Sequence, residues 1–288
     1  MTAAVELAPT GTASARVAHR VEKRRRALPP VTLVLAWAVI AIVFAWAVVP
    51  GWFAPAGPYD PVVTGLTGPS AAHPFGTDQV GRDQLARIVF GARESLLGAG
   101  IAVGLGLSVG VVLGAVSGSI GGIVDTVIMR IVDVLLAVPG LLLALTLVAL
   151  LGTGTINTAI AVGIGSVAGF ARLVRSEVVT VRASEYVEAA YGSGGSFFTV
   201  LFRHVLPNSL LPVLALFALQ FGGAILALST LGFLGYGVQP PDPEWGMIIA
   251  QGRNLLGAAP WVTAFPGLVI LFVVLASNRI SQSLGVRR

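Results

Sequence analysis

Few residues in this chain are of a type and spacing that could do chemistry, and most reactions are excluded by what is missing. The run Gly192-Ser193-Gly194-Gly195-Ser196 is the nearest approach to a phosphate-binding loop. It lacks the Lys-Ser/Thr pair that completes G-x-x-x-x-G-K-[ST], so the chain is not expected to hydrolyse ATP. His73, Asp78 and Asp83 share one segment, at irregular intervals that match no metal-ligand pattern. His19 and His204 stand apart in polar stretches, so no histidine is available for the buried Ser–His pair of an intramembrane protease. With no cysteine, disulfides and thiolate metal sites are also excluded. The expectation is a non-catalytic chain that binds no cofactor or metal.

Two polar groups remain. Asp125, Arg130 and Asp133 interrupt apolar sequence, where charge is expensive unless it meets a partner or a water-filled path. The spacing of Arg130 and Asp133 allows an i, i+3 ion pair, and a place on a substrate path is the alternative. The other group is the stretch EYVEAAYGSGGSFFTVLFRHVLPN, residues 185–208.

The elements that position these groups are set by composition. Hydrophobic residues make up 55% of the 288 positions and charged ones 11%, against roughly 25% charged in soluble domains. Uncharged windows cover 27–59, 95–124, 134–171, 204–241 and 254–278, each longer than the ~20 residues of a spanning helix. Gly152 to Asn157 divides the third window as a turn would. Six spans are expected, near 31–49, 93–117, 126–151, 157–175, 209–231 and 264–282. The runs lack the alternation of a β-barrel, so the fold class is all-α and polytopic.

Basic residues orient the spans. With a cytoplasmic N-terminus, all Lys and Arg except Arg82, Arg87, Arg93 and Arg253 lie on the cytoplasmic side, which places both termini and residues 185–208 there. The EKRRR run at 22–26 is expected to meet anionic lipid headgroups, and nucleic acid is not an expected partner. The apolar run after it is too long for a signal peptide and is expected to stay as the first span. On the second span Gly106, Gly110, Gly114 and Gly118 recur every four residues, a face of bare backbone suited to close helix packing.

Residues 176–208 are too many for a structureless connection. Ala183 to Tyr191 is rich in helix formers, the glycines at 192–195 break the run, and 196–205 resumes it until Pro207 stops it. Two short helices on the cytoplasmic face are expected, as a docking element.

These residues carry a resemblance. Glu188-Ala189-Ala190, Gly194 and Leu206-Pro207 resemble the EAA loop of ATP-binding-cassette importer permeases, whose form is EAA, three residues, Gly, nine residues, I-x-L-P. His204 stands where that pattern has Ile. The segments HPFGTDQVGRDQLARIVFGARESL from His73, MRIVDVLLAVPGLLLAL from Met129, LGFLGYGVQPPDPEWGMII from Leu231 and APWVTAFPGL from Ala259 are similar to the second permease of dipeptide, oligopeptide and nickel importers.

The resemblance implies a type I importer permease fold over residues 73–288, after a tail at 1–30 and a first span with its external linker at 31–72. It implies one half of a heterodimeric pore, a paralogous permease, two ATPase subunits that hold ATP and magnesium, and an extracytoplasmic binding protein. Glu188, Ala189, Ala190, Gly194, Leu206 and Pro207 would then contact the ATPase. Peptides are the expected cargo, with nickel or a metal chelate as the alternative. An ion-driven secondary transporter would instead show broken helices and several intramembrane carboxylates, of which Asp133 is the one candidate.

Overall fold

The computed structural model describes residues 30–285; the basic tail and the C-terminal Arg287 and Arg288 lie outside the described residues. The helices are α1 (Pro30–Val48), α2 (Pro50–Phe53), α3 (Gln84–Ile120), α4 (Gly122–Ala137), α5 (Gly140–Leu151), α6 (Thr155–Arg182), α7 (Glu185–Gly192), α8 (Phe197–Val200), α9 (Leu206–Ser209), α10 (Leu211–Phe233), α11 (Trp245–Gly252) and α12 (Trp261–Gly285). Five are long and apolar enough to cross a membrane, and α4 with α5, taken together as one bent span, would be a sixth. The connections divide between two ends of the bundle: a cap end with residues 54–83 and 234–260, and a loop end with residues 183–210.

The third span departs from the expected single helix at 126–151. Two helices, α4 and α5, meet at an angle of 93°. The reason is local. Pro139 supplies no N–H, and its ring disfavours helical backbone at the preceding residue, so Val138 takes an extended conformation with φ −87° and ψ 128°. The second span is also longer than expected, because the Asp83 carboxylate accepts from the Ala86 N–H at 2.8 Å and starts α3 at Gln84. At 37 residues, α3 is far longer than the ~20 needed to cross the hydrocarbon core. Its first turns therefore belong to the cap.

α3 and α6 run parallel, and their seam is the closest in the bundle. A Cβ on Gly106 would lie 2.7 Å from the Ser166 Cβ, on Gly110 2.5 Å from the Phe170 Cβ, on Gly114 2.5 Å from the Ala171 carbonyl, and on Gly118 2.9 Å from the Val178 Cβ. The partner number rises with the glycine number, so the register holds over the whole seam. Lipid supplies no hydrophobic drive between helices, and this backbone approach is what holds them. Gly100 and Gly104 meet nothing within 4 Å and take no part. Elsewhere α12 is gripped by α10, with the Ser281 hydroxyl donating to the Ala215 carbonyl at 2.6 Å, and by α1, with the Arg279 Nε donating to the Thr32 hydroxyl at 2.9 Å.

The cap is a polar network on a buried base. Trp245, fully buried inside the cap, donates its indole N–H to the Ile88 carbonyl at 2.9 Å. Glu244 accepts from the N–H groups of Gly246 and Met247, both at 2.9 Å, and starts α11; burial pushes its carboxyl up from the ordinary range against these bonds. Arg87, also fully buried, donates to Gln251 Oε1 at 3.0 Å and stands 3.7 Å from Asp78. Asp78 is held by the Arg82 Nε at 2.7 Å, and His73 by Asp83 at 2.9 Å, so these three cap residues are used up in structure. Trp261 donates to the Thr77 carbonyl at 3.1 Å, and Phe75 stacks on Phe265 at 4.2 Å, tying the first cap segment to α12.

The seam makes a contrast of glycines testable. Gly110→Val forces a side chain into the α3–α6 backbone contact and is expected to cost at least about 3 kcal/mol, the upper range for overpacking. Gly104→Ala, where a Cβ has open space, is expected to stay within about 0.5 kcal/mol. Thermal unfolding of the two purified variants, followed by size exclusion, checks this; equal melting temperatures would contradict it.

Candidate functional site

The loop end presents the first candidate. α6 does not stop near 175 but continues to Arg182, and only Ala183 and Ser184 separate it from α7. The Arg182 guanidinium donates to the carbonyls of Gly118 at 2.8 Å and Ser119 at 2.5 Å, so the ends of α3 and α6 are tied where the loop begins. Three valines root the loop: Val187, Val200 and Val205 are buried in the main core. Arms of this length would not hold a helix alone; packing holds them.

The turn between the arms uses two glycines differently. Gly194 has φ +87°, a left-handed backbone that a Cβ resists, while a Cβ there would have open space. Gly195 is closed by contact: a Cβ would lie 2.7 Å from the Ala190 carbonyl and 2.8 Å from the Val200 Cγ2. The expectation of a special glycine at 194 thus covers its neighbour too. The second arm is not one helix ended by Pro207. It begins with Ser196 capping α8, widens into a π-turn at Leu201–Val205, and resumes as α9 with Pro207 inside it. The Leu206 N–H reaches back to the Leu201 carbonyl, which completes the wide turn one residue before a proline that has no N–H to give.

Glu188 and Ala189 are exposed, and Ala190 is half-buried against the core. Around them Tyr186, Tyr191, Phe197, Phe198 and Phe202 are exposed, Phe198 to 69%. This aromatic rim was not legible in advance, because an apolar residue in a short helix reads as a buried one. Its only sequence signal is a density of aromatic residues greater than Val187, Val200 and Val205 need for company.

The second candidate is the charge cluster. Arg130 and Asp133 do not pair with each other: Asp133 accepts from the Arg172 NH2 at 2.6 Å, across from α6. One turn of backbone cannot aim both side chains together when a cation on the neighbouring helix lies closer. Asp125 accepts from the Nε and one terminal nitrogen of Arg175, both at 2.6 Å, and from the Ser117 hydroxyl of α3. Arg130 joins these residues in lining an open charged cavity of about 460 Å³. A separate, mostly apolar cavity of about 400 Å³ lies between α5, α6 and α10, with Ser166, Gln220 and Thr230 as its polar points. Neither Arg130 nor Asp133 lines it. Among the described residues no cluster of His, Asp or Glu could hold a metal ion.

Comparison with known proteins accords with this geometry. The model of the family "binding-protein-dependent transport system inner membrane component" matches residues 110–287. The chain is 43% identical over 219 residues to the dipeptide transport system permease protein DppC of Alkalihalophilus pseudofirmus, covering 76% of this chain and 72% of that one. It is 41% identical over 268 residues to the glutathione transport system permease protein GsiD of Shigella flexneri, covering 92% and 86%. In structure it is similar to the inward-facing MetNI methionine ABC transporter, with a TM-score of 0.54 at 17% identity over 69% of this chain and 96% of that one. That likeness is one of fold, the type I importer permease. A parallel glycine seam, a broken third span and a rooted loop at one end are therefore features of a chain that belongs to the family of binding-protein-dependent transport system inner membrane components, and it is the membrane-spanning permease subunit of an ABC importer.

Proposed function

We propose that residues 183–210 dock this permease on an ATP-binding subunit and that the cargo is a short peptide. The observation that carries the docking is the exposed rim around Glu188, held stiff by three buried valines and a two-glycine turn. Tyr and Phe side chains are what interface cores are enriched in relative to the rest of a protein surface. The chain itself is non-catalytic on this reading; ATP and magnesium are bound in two ATPase subunits, a paralogous permease completes the pore, and an extracytoplasmic binding protein meets the cap. Peptide cargo rests on the relatives named for dipeptides and for glutathione, itself a short peptide. The apolar cavity between α5, α6 and α10 is this chain's share of the path.

Orientation follows from charge. Arg130, Arg172, Arg175, Arg182, Arg203 and Arg279 lie toward the loop end, and Arg82, Arg87, Arg93 and Arg253 toward the cap, which favours a cytoplasmic loop and cytoplasmic termini. Gly76, with φ +70° and the Trp261 ring 2.7 Å from a Cβ, is a poor place for a probe, whereas Val80 is 52% exposed. Single cysteines at Val80 and Ser193 are expected to react with an impermeant thiol reagent from opposite sides of the membrane. Labelling of both from the outside would overturn this topology.

Docking has its own test. Glu188 is exposed, so Glu188→Lys is expected to change folding stability by less than ~0.5 kcal/mol. Gly194→Val forces a β-branched residue into positive φ at a cost of roughly 1–2 kcal/mol, confined to the turn. Both variants are expected to insert normally, to lose co-purification with the ATPase subunits, and to lower uptake of radiolabelled dialanine at least tenfold (about 1.4 kcal/mol) at matched expression. Wild-type co-purification and uptake in both would contradict the docking role.

A further inference from the structure

The proposed docking explains how a motor grips the loop but not how its motion reaches the broken span. We propose that Arg172 and Arg175 are positioning residues that fasten α4 to α6, so that α4 follows the loop when the loop moves. This inference rests on the docking reading.

The attachment of α4 is unusual in kind. Of its residues Val132 alone is buried, while Ile123, Val127, Ile131 and Val134 are exposed at 83%, 53%, 58% and 62%. What holds α4 is a small patch, with Ile128, Met129 and Leu135 beside Val132 against Ala168 and Ala171, and two ion pairs. The pairs sit at two points along it. Near its start, Asp125 is clamped by Arg175 of α6 and Ser117 of α3; two turns on, Asp133 meets Arg172. Beyond Asp133 the chain turns through 93° at Val138 and Pro139 into α5, which packs on α6 through Ala144 and Val148.

Both arginines lie in the last turns of α6, which passes into the loop through two residues. A displacement of α7 that carries the end of α6 with it would therefore move the Arg172 and Arg175 side chains. Ion pairs suit this role because they are directional and can be re-formed with the charges exchanged, which apolar packing cannot. The Arg175–Asp125 pair is the more buried of the two and is screened less than the half-exposed Arg172–Asp133 pair.

The test uses the assembled importer with its ATPase subunits. Nitroxide labels are placed at Ile131 on α4 or Val179 on α6, each paired with a reference at Leu268 on α12, all three exposed. Distances are measured without nucleotide and with ATP and vanadate. In the wild type both distances are expected to shift together. In Arg172→Asp and in Asp133→Arg the α6 distance still shifts, the α4 shift is lost, and uptake per ATP hydrolysed falls at least tenfold. The exchange Arg172→Asp with Asp133→Arg restores both to within threefold. An α4 shift that persists in the single variants, or an exchange that restores neither, overturns the proposal. So does failure of Arg172→Gln and of the exchange to assemble, which would make the pair a folding contact. If the α6 distance itself does not move in the wild type, α4 has nothing to follow and this proposal fails, whereas the docking reading fails on co-purification, so the two outcomes are distinct.

Discussion

The parallel contact of α3 and α6 is the constraint on which the rest of the molecule depends. Four glycines remove the side chains that would separate the helices, and nothing else in a bilayer supplies a comparable reason for two apolar helices to choose each other. Two parallel neighbours cannot be joined by a short turn. The chain must cross back between Ile120 and Thr155, and it does so with the broken pair α4 and α5. The same contact sends both α3 and α6 from the cap to the loop end, where Arg182 closes it on the last carbonyls of α3. The cap and the loop are therefore opposite ends of one stiff unit.

The two ends are stabilised by different physics. In the cap, charges are buried, as with Arg87, which donates to Gln251 and lies 3.7 Å from Asp78, and removing one partner of a buried pair costs about 3–5 kcal/mol because the other is left uncompensated. At the loop end the charges are half-exposed and the anchors are three valines. A rigid cap and a shallow-rooted loop suit a permease in which one end receives cargo and the other moves. The broken helix, which taken alone fits an ion-driven transporter, has no free carboxylate beside it: Asp125 and Asp133 are each met by an arginine.

Much of this was legible from residue types alone. Continuous apolar runs marked six crossings, Gly152 and Gly154 at φ +90° and +119° do divide the third window, and the glycine period named the seam. The errors have physical causes. Val138-Pro139 was hidden by apolar neighbours, although the proline alone predicts the extended residue before it. Arg87 made the first turns of α3 look like a loop, because hydropathy counts charge and not the partners that meet it. The Arg130–Asp133 pairing failed because spacing within a helix says nothing of a cation on the next one. Helix existence was written locally; who meets whom was written across α4 and α6.

The account stands on the loop as the contact with the motor. A photo-reactive amino acid placed at Phe198, 69% exposed on the second arm of the loop, tests this in the assembled importer without disturbing a buried group. The predicted result is a covalent adduct of this chain with an ATP-binding subunit, lost when that subunit is absent. Adducts formed only with lipid or with the other permease would contradict it.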